Sequence, residues 1–259
     1  MSSAVVVDQM TLAYGDRVIQ RELSFAVETG QICVIVGGSG CGKSTLLRHM
    51  LGLAEPTHGS VSFEGQNFTH ADQQQRMAMR LQWGVTFQQG GLISAMSLAE
   101  NLSLPLELYT DLNARQRAEL IELKLALVGL AGYQNYYPSE ISGGMRKRAA
   151  LARALMLDPK FLFFDEPSAG LDPISSRRLD ELIASLAASL GATVIMVTHE
   201  LDSIFAIANH AVYLDNVSKT LLDAGPPAYL RDHSDHAVVR EFFSRGGQRS
   251  SASKETLNA

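Results

Sequence analysis

Gly37-Gly38-Ser39-Gly40-Cys41-Gly42-Lys43-Ser44 is the stretch on which the reading of this chain turns. It fits the pattern G-x-x-x-x-G-K-[S/T], which average composition yields by chance in roughly one chain in a hundred of this size. Its flanks supply the required context. Ile32-Cys33-Val34-Ile35-Val36 ahead of it is a continuous apolar run, as expected of a strand buried on both faces, and Thr45-Leu46-Leu47-Arg48-His49-Met50 behind it is helix-like. Glycines at such a junction let the backbone turn its amides inward at a helix N-terminus, where phosphate is held. Residues 37–45, ending in Thr45, are therefore expected to cradle phosphate, with Lys43 reaching the β- and γ-phosphates and Ser44 holding Mg²⁺. Cys41 sits inside this loop near a helix start, a setting that tends to lower a thiol pKa, and it equally fits the place as a small spacer.

Outward from the loop, strand-like and helix-like segments alternate. Phe161-Leu162-Phe163-Phe164 and Val194-Ile195-Met196-Val197 are two more apolar runs. Between them Leu179, Leu182, Ile183, Leu186 and Leu190 recur at helical spacing behind Asp172-Pro173. This rhythm predicts an α/β fold with a mostly parallel core sheet. The first 30 residues and Gly59–Phe68 instead alternate apolar and polar residues, which predicts a small antiparallel β subdomain. From about Ala99 to Leu130 the chain reads as helix-like, with Leu120, Leu123, Leu127 and Leu130 on one stripe, and a helical lobe is expected to be inserted at about 95–155. The nucleotide-binding domain is expected to span 1–230, followed by a C-terminal extension at 231–259. The last ~14 residues are rich in Gln, Ser, Lys and Asn and are expected to be disordered.

Composition narrows the partners. The 259 residues are 46% hydrophobic with a formal net charge of −5, enough for a sizeable core and offering no general attraction to nucleic acid. The basic run Arg146-Lys147-Arg148 reads as a solvated helix face. Cys33 and Cys41 are the only cysteines, which favours a reducing compartment. The N-terminus does not read as a signal peptide, and no apolar segment approaches the ~20 residues that span a bilayer. Any membrane role is expected to come through other proteins.

Three more constellations carry chemistry. Asp165 and Glu166 end the run from Phe161; a strand ending in carboxylates near a phosphate loop suits Asp165 to Mg²⁺ and Glu166 to deprotonating an attacking water. His199 follows another apolar run in the same way, suiting it to sense the γ-phosphate. Ser142-Gly143-Gly144-Met145 opens a helix whose first amides are left accessible to an anion, with Ser142 as its cap. A second anion-binding helix start in a chain that already has a phosphate loop is explained most economically if it closes on ATP held by a second copy.

In the order and spacing of these motifs, the chain resembles the ATP-binding subunits of ABC transporters from about Val5 to Leu230. That resemblance implies that Tyr14 stacks on adenine, that Gln88 senses Mg²⁺ and water, that Ser142–Met145 is the signature acting on the opposite subunit's ATP, that Asp172 belongs to the D-loop, and that His199 is the switch histidine. Met145 stands where the family usually has Gln, and Gly38 where it often has Pro.

Phe87-Gln88-Gln89-Gly90-Gly91-Leu92, the signature with Arg146-Lys147-Arg148-Ala149-Ala150 behind it, and Asp172-Pro173-Ile174-Ser175-Ser176 resemble one branch, the ATPases of MCE/Mla-type phospholipid transporters. The signature helix predicts a homodimer and the net charge no nucleic acid; the branch implies an MlaE-like integral membrane permease, an MlaD-like MCE-domain protein and a small MlaB-like STAS-domain subunit. It also implies a cytoplasmic position, peripheral on the inner membrane of a Gram-negative bacterium. The apolar, glycine-flexed Gly90-Gly91-Leu92-Ile93 is expected to line a groove for a permease helix. The alternatives are the ATPase of another ABC transporter class or a soluble ABC ATPase outside transport.

Overall fold

A computed structural model describes residues 3–244; the tail expected to be disordered lies outside them. The chain forms two compact units, one from the described parts of Met1–Ala71 and Ile195–Ala259, the other Asp72–Val194.

The first unit begins with β1 (Ser3–Tyr14), β2 (Arg17–Glu28), β3 (Ile32–Gly37), α1 (Lys43–Met50), β4 (His58–Phe63) and β5 (Gln66–Asn67). Strands β2-β1-β4-β5 make an antiparallel sheet, as the alternation of the first 30 residues predicts. Two extra residues decide which side chains it buries. Val5 and Val7 face the core, but so do Met10 and Leu12, because Gln9 (φ 46°) interrupts the register between Val7 and Met10. Glu22 (φ 52°) shifts β2 likewise, so Leu23, Phe25 and Val27 are buried and Gln20 is buried too. A residue inserted into a strand flips every later side chain to the other face. Here the paired shifts keep both strands apolar inward and carry one polar side chain in with them.

The second unit contains α2 (Gln73–Arg80), β6 (Trp83–Thr86), α3 (Leu98–Tyr109), α4 (Ala114–Leu127), α5 (Gly143–Ala154), β7 (Phe161–Asp165) and α6 (Pro173–Leu190). Strands β6 and β7 pair in parallel, from Trp83 with Phe161 to Thr86 with Phe164. Helix starts are capped by side chains: Ser97 and Asn113 form capping boxes with Glu100 and Gln116. The helix-like stretch is two helices, and the leucine stripe is not the face that α4 buries. Leu123 and Leu127 are 54% and 47% exposed, and Leu120 is half-buried, while Ile121, Lys124, Leu125 and Val128 face inward. Leu130 is buried from beyond the helix, after the turn at Gly129 (φ 69°). Lys124 is tolerated inside because its ammonium reaches Asp158.

The chain returns to the first unit through β8 (Thr193–Val197), then α7 (Leu201–Ile207), β9 (His210–Leu214), β10 (Leu221–Gly225) and α8 (Pro227–His233). Strand β3 runs parallel to β9, which pairs antiparallel with β10. Helix α8 runs through residue 231, and residues 237–244 are helical. Phe242 packs edge-on against Tyr213 at 5.4 Å between centroids and Phe243 against Phe205 at 6.2 Å, so this segment is fastened by aromatic burial.

Candidate nucleotide site

In the first unit the phosphate loop links β3 to α1. Gly37 (φ 144°) ends the strand where a Cβ would lie 2.2 Å from the carbonyl oxygen of Leu214, and Gly42 (φ 99°) is where a Cβ would lie 2.6 Å from Ile19 Cγ2. Only glycine fits either position. Gly42 is the N-cap of α1 and has no side chain to cap it, leaving the helix amides for an anion. Gly38, Ser39 and Gly40 form the exposed rim of the loop, while Ser44 and Thr45 are half-buried in the first helical turn. The Lys43 ammonium folds back over the loop, 3.0 Å from Gly37 O and 3.1 Å from Gly38 O. Oxygen-rich company of this kind is what a phosphate group would replace.

The loop has a support that sequence reading did not find. Gln20 Nε2 donates to Cys41 O at 2.6 Å and to Asp215 O at 2.8 Å, tying β2 and the end of β9 to the loop. Of the two readings of Cys41, the structure favours the small spacer: it is 2% exposed, and burial raises its pKa even though Lys43 and loop amides pull it back. Desolvation outweighs the helix start here. Cys33 is pushed up to about 12 by burial, and both cysteines are free thiols.

Tyr14, at the end of β1, is 51% exposed and presents its ring beside the loop's helix. Its inner edge meets buried His49 at 6.4 Å, and His49 is oriented by an Nδ1 contact of 2.8 Å to Thr45 O. His199 follows β8 and is exposed, held between buried Thr198 and Glu200, whose amide donates to Thr198 Oγ1 at 3.1 Å.

In the second unit, Asp165 ends β7 and is buried, and Glu166 follows with a left-handed backbone (φ 51°). Asp172 caps α6, accepting from Ile174 N at 3.1 Å and Ser175 N at 3.0 Å; the Ser175 hydroxyl and amide hold its carboxyl below the usual value. Ser142 caps α5 as expected, accepting from Met145 N at 3.2 Å. Gly143 and Gly144 are different from the loop glycines. Neither has positive φ, and a Cβ on either would come no closer than 3.8 Å to another atom. Nothing in their own chain requires glycine there.

Gln88 is exposed beyond β6, and its carbonyl accepts from the Lys147 ammonium, which also lies 3.4 Å from Glu166 O. The structure thereby brings Gln88 and Glu166 to one side chain that sequence reading had assigned to a solvated face. Its neighbours are engaged as well: Arg146 Nη1 donates to Ile141 O at 3.0 Å, and Arg148 Nη1 to Val128 O at 3.0 Å. The segment after Gln88 is held from two sides. Arg153 Nη1 donates to Gly91 O at 2.7 Å, and buried Asn101 accepts from Ile93 N at 2.7 Å while donating to Ile93 O at 3.0 Å. Phe87 and Ile93 remain partly exposed beside this fixed backbone.

The ABC transporter family matches over residues 20–169. The intermembrane phospholipid transport system ATP-binding protein MlaF of Escherichia coli is 37% identical over 93% of this chain and 90% of its own. The probable ribonucleotide transport ATP-binding protein mkl of Mycobacterium tuberculosis is 36% identical over 94% of this chain and 67% of its own. Among solved structures, a dimeric bacterial ABC transporter cassette aligns with TM-score 0.78 at 26% identity, over 86% of this chain and 98% of that one. A dimeric cassette in a post-hydrolysis state bound to ADP and Pi aligns with TM-score 0.77 at 26% identity and the same coverage. With a glycine-built phosphate loop, a strand ending in paired carboxylates and a capped Ser-Gly-Gly helix start in one chain, this protein belongs to the ABC transporter family and is an ATP-hydrolysing subunit of that kind.

Proposed function

We propose that the chain powers an MCE/Mla-type phospholipid transporter as a homodimer, with ATP held between the phosphate loop of one copy and the signature helix of the other. The observation that carries the dimer is the head of α5. Ser142 caps it, yet Gly143 and Gly144 keep its first amides clear where their own chain would admit a Cβ. The space so protected lies outside the chain, and an anion brought by a second copy is what a bare helix start attracts.

Within that reading Tyr14 stacks on the base, and Gly37, Gly38, Ser39, Gly40, Cys41, Gly42, Lys43, Ser44 and Thr45 hold the phosphates. Asp165, Ser44 and Gln88 offer hard oxygen ligands suited to Mg²⁺. Bound there, Mg²⁺ would neutralise phosphate charge. Glu166 takes the proton of the attacking water, His199 holds the γ-phosphate end, and Asp172 fixes the start of α6 by its cap. The domain spans 1–230 with a helical lobe at about 95–155, and α8 carries it into the extension at 231–259.

Among the described residues no helix is long and apolar enough to cross a membrane, so transport requires an integral permease of the MlaE kind. An MlaD-like MCE protein and an MlaB-like STAS subunit complete the assembly, on the cytoplasmic side of a Gram-negative inner membrane. Support for lipid as cargo is the similarity to MlaF over most of both chains; the mkl relatives favour a ribonucleotide at nearly equal identity. Affinity purification of the tagged full-length chain from detergent-solubilised membranes, with mass spectrometry of proteins and bound small molecules, separates them. A permease and an MCE protein with phospholipid is the expected outcome; a ribonucleotide-loaded permease without an MCE protein overturns the lipid assignment.

A further inference from the structure

We propose that Lys147 is a positioning residue that couples the signature helix to the catalytic carboxylate of its own chain, by holding the backbones of Gln88 and Glu166 with one ammonium. The inference rests on the roles proposed for Gln88, Glu166 and the head of α5.

An ammonium carries three donors and no acceptor, so it can bind two carbonyls at once. Lys147 Nζ donates to Gln88 O and lies 3.4 Å from Glu166 O. Glu166 is one of few non-glycine residues here with positive φ, a conformation that persists only when its surroundings enforce it. The Lys147 ammonium is within reach of the carbonyl of this conformationally restricted residue, at 3.4 Å. Beside the segment at Gln88 a small cavity is lined by Thr86, Phe87, Gly90, Lys147, Phe164 and Pro167 among others. Helix α5, which carries Lys147, supplies a second contact to that segment, since Arg153 holds the carbonyl of Gly91 at 2.7 Å.

Helix α5 therefore carries at its head the residues that meet the nucleotide of the other copy, and along its length the cations that hold the loop after Gln88. A small rotation of α5 on engaging that nucleotide moves the Lys147 ammonium, and with it the backbones of Gln88 and Glu166. Occupancy of one site thereby sets the water-activating group of the other, through a rigid helix and two hydrogen bonds.

The test uses the full-length chain with Lys147→Met and Lys147→Arg. Hydrogen exchange without nucleotide should show faster exchange in both segments 86–92 and 165–170 in Lys147→Met, and recovery of both in Lys147→Arg. Turnover should fall ~10–100-fold in Lys147→Met, the scale of a lost charged hydrogen bond, while KM for ATP stays within about threefold. Lys147→Arg should regain most of it. If Lys147→Met does not fold, Lys147→Gln, too short to span both carbonyls, takes its place with the same expectations. Normal turnover, or loosening of only one segment, overturns the coupling. Glu166→Gln run in parallel separates the failures: if it retains turnover the proposed catalytic role falls, whereas if it is inactive and Lys147→Met is normal, only the coupling falls.

Discussion

Gln20 and Cys41 are joined by a 2.6 Å hydrogen bond from the Gln20 side-chain amide to the Cys41 carbonyl, which fastens a wholly buried strand residue to the underside of the phosphate loop. The same nitrogen donates to Asp215 O at 2.8 Å, so both of its donors are used. Gln20 Oε1 has no partner among the described residues, a cost accepted for the two bonds.

That asymmetry gives a prediction. Gln20→Met loses both donors but also the orphaned oxygen, and should destabilise by ~1 kcal/mol. Gln20→Glu places a carboxylate against two carbonyl oxygens and should cost ~3 kcal/mol or more at neutral pH. Urea midpoints measure both. Unchanged stability in Gln20→Met would show that the donors do not support the loop.

The thiols give a second. Burial raises both pKa values, so at pH 7–8 neither should react with maleimide in the folded chain, and intact mass should show labelling only after denaturant. For Cys33 the sign is definite: its folded value, about 12, lies above the ordinary 9.0, so the neutral thiol contributes stability that is complete below pH 9 and lost as pH rises toward 12. Cys33→Ala should flatten that alkaline decline in thermal melts.

What was legible in the sequence was local. The phosphate loop, the Asp165–Glu166 strand end and the Ser142 cap each consist of neighbouring residues whose chemistry does not depend on distant pairing. The buried face of α4 was not legible because the helix is apolar on more than one side. Leu120, Leu123 and Leu127 repeat as well as Ile121, Leu125 and Val128 do, and packing chose the second set with Lys124 admitted by Asp158, 34 positions away. Gln20 was invisible for a similar reason: the shift at Glu22 that turns it inward exists only in the pairing of β1 with β2. Lys147 is hidden in the sequence because a basic triplet looks solvated until the carbonyls opposite it are known.

Loss of the general base should separate binding from turnover. Glu166→Gln is expected to bind ATP normally, cut turnover by ~10²–10⁴, and accumulate as an ATP-bound dimer on size exclusion. Lys43→Ala removes the ammonium that spans the Gly37 and Gly38 carbonyls and should weaken nucleotide binding itself, read with a fluorescent ATP analogue. Near-normal ATPase activity in both variants is the result that would remove these roles.

The sharpest test of the two-copy site is Gly144→Ala. Its own chain has room, since the added Cβ meets nothing nearer than Leu171 Cδ2 at 3.8 Å, and alanine favours the helix by a few tenths to ~1 kcal/mol over glycine. The variant should therefore melt at the same temperature or slightly higher and bind ATP with unchanged affinity, yet hydrolyse it at least ~10-fold more slowly, because the methyl group intrudes only on what approaches from outside. Gly37→Ala is the contrasting control: a Cβ 2.2 Å from Leu214 O must distort the loop, so stability and binding fall together. Mixing Gly144→Ala with Lys43→Ala adds geometry. A mixed dimer has one site with both halves damaged and one that pairs an intact phosphate loop with an intact signature helix. If the sites fire independently, mixing should restore activity toward that of one site. Purified mixed dimers no more active than either parent would show that the sites are obligatorily coupled. Loss of ATP binding in Gly144→Ala alone would place the signature in the same-chain pocket and remove the two-copy arrangement.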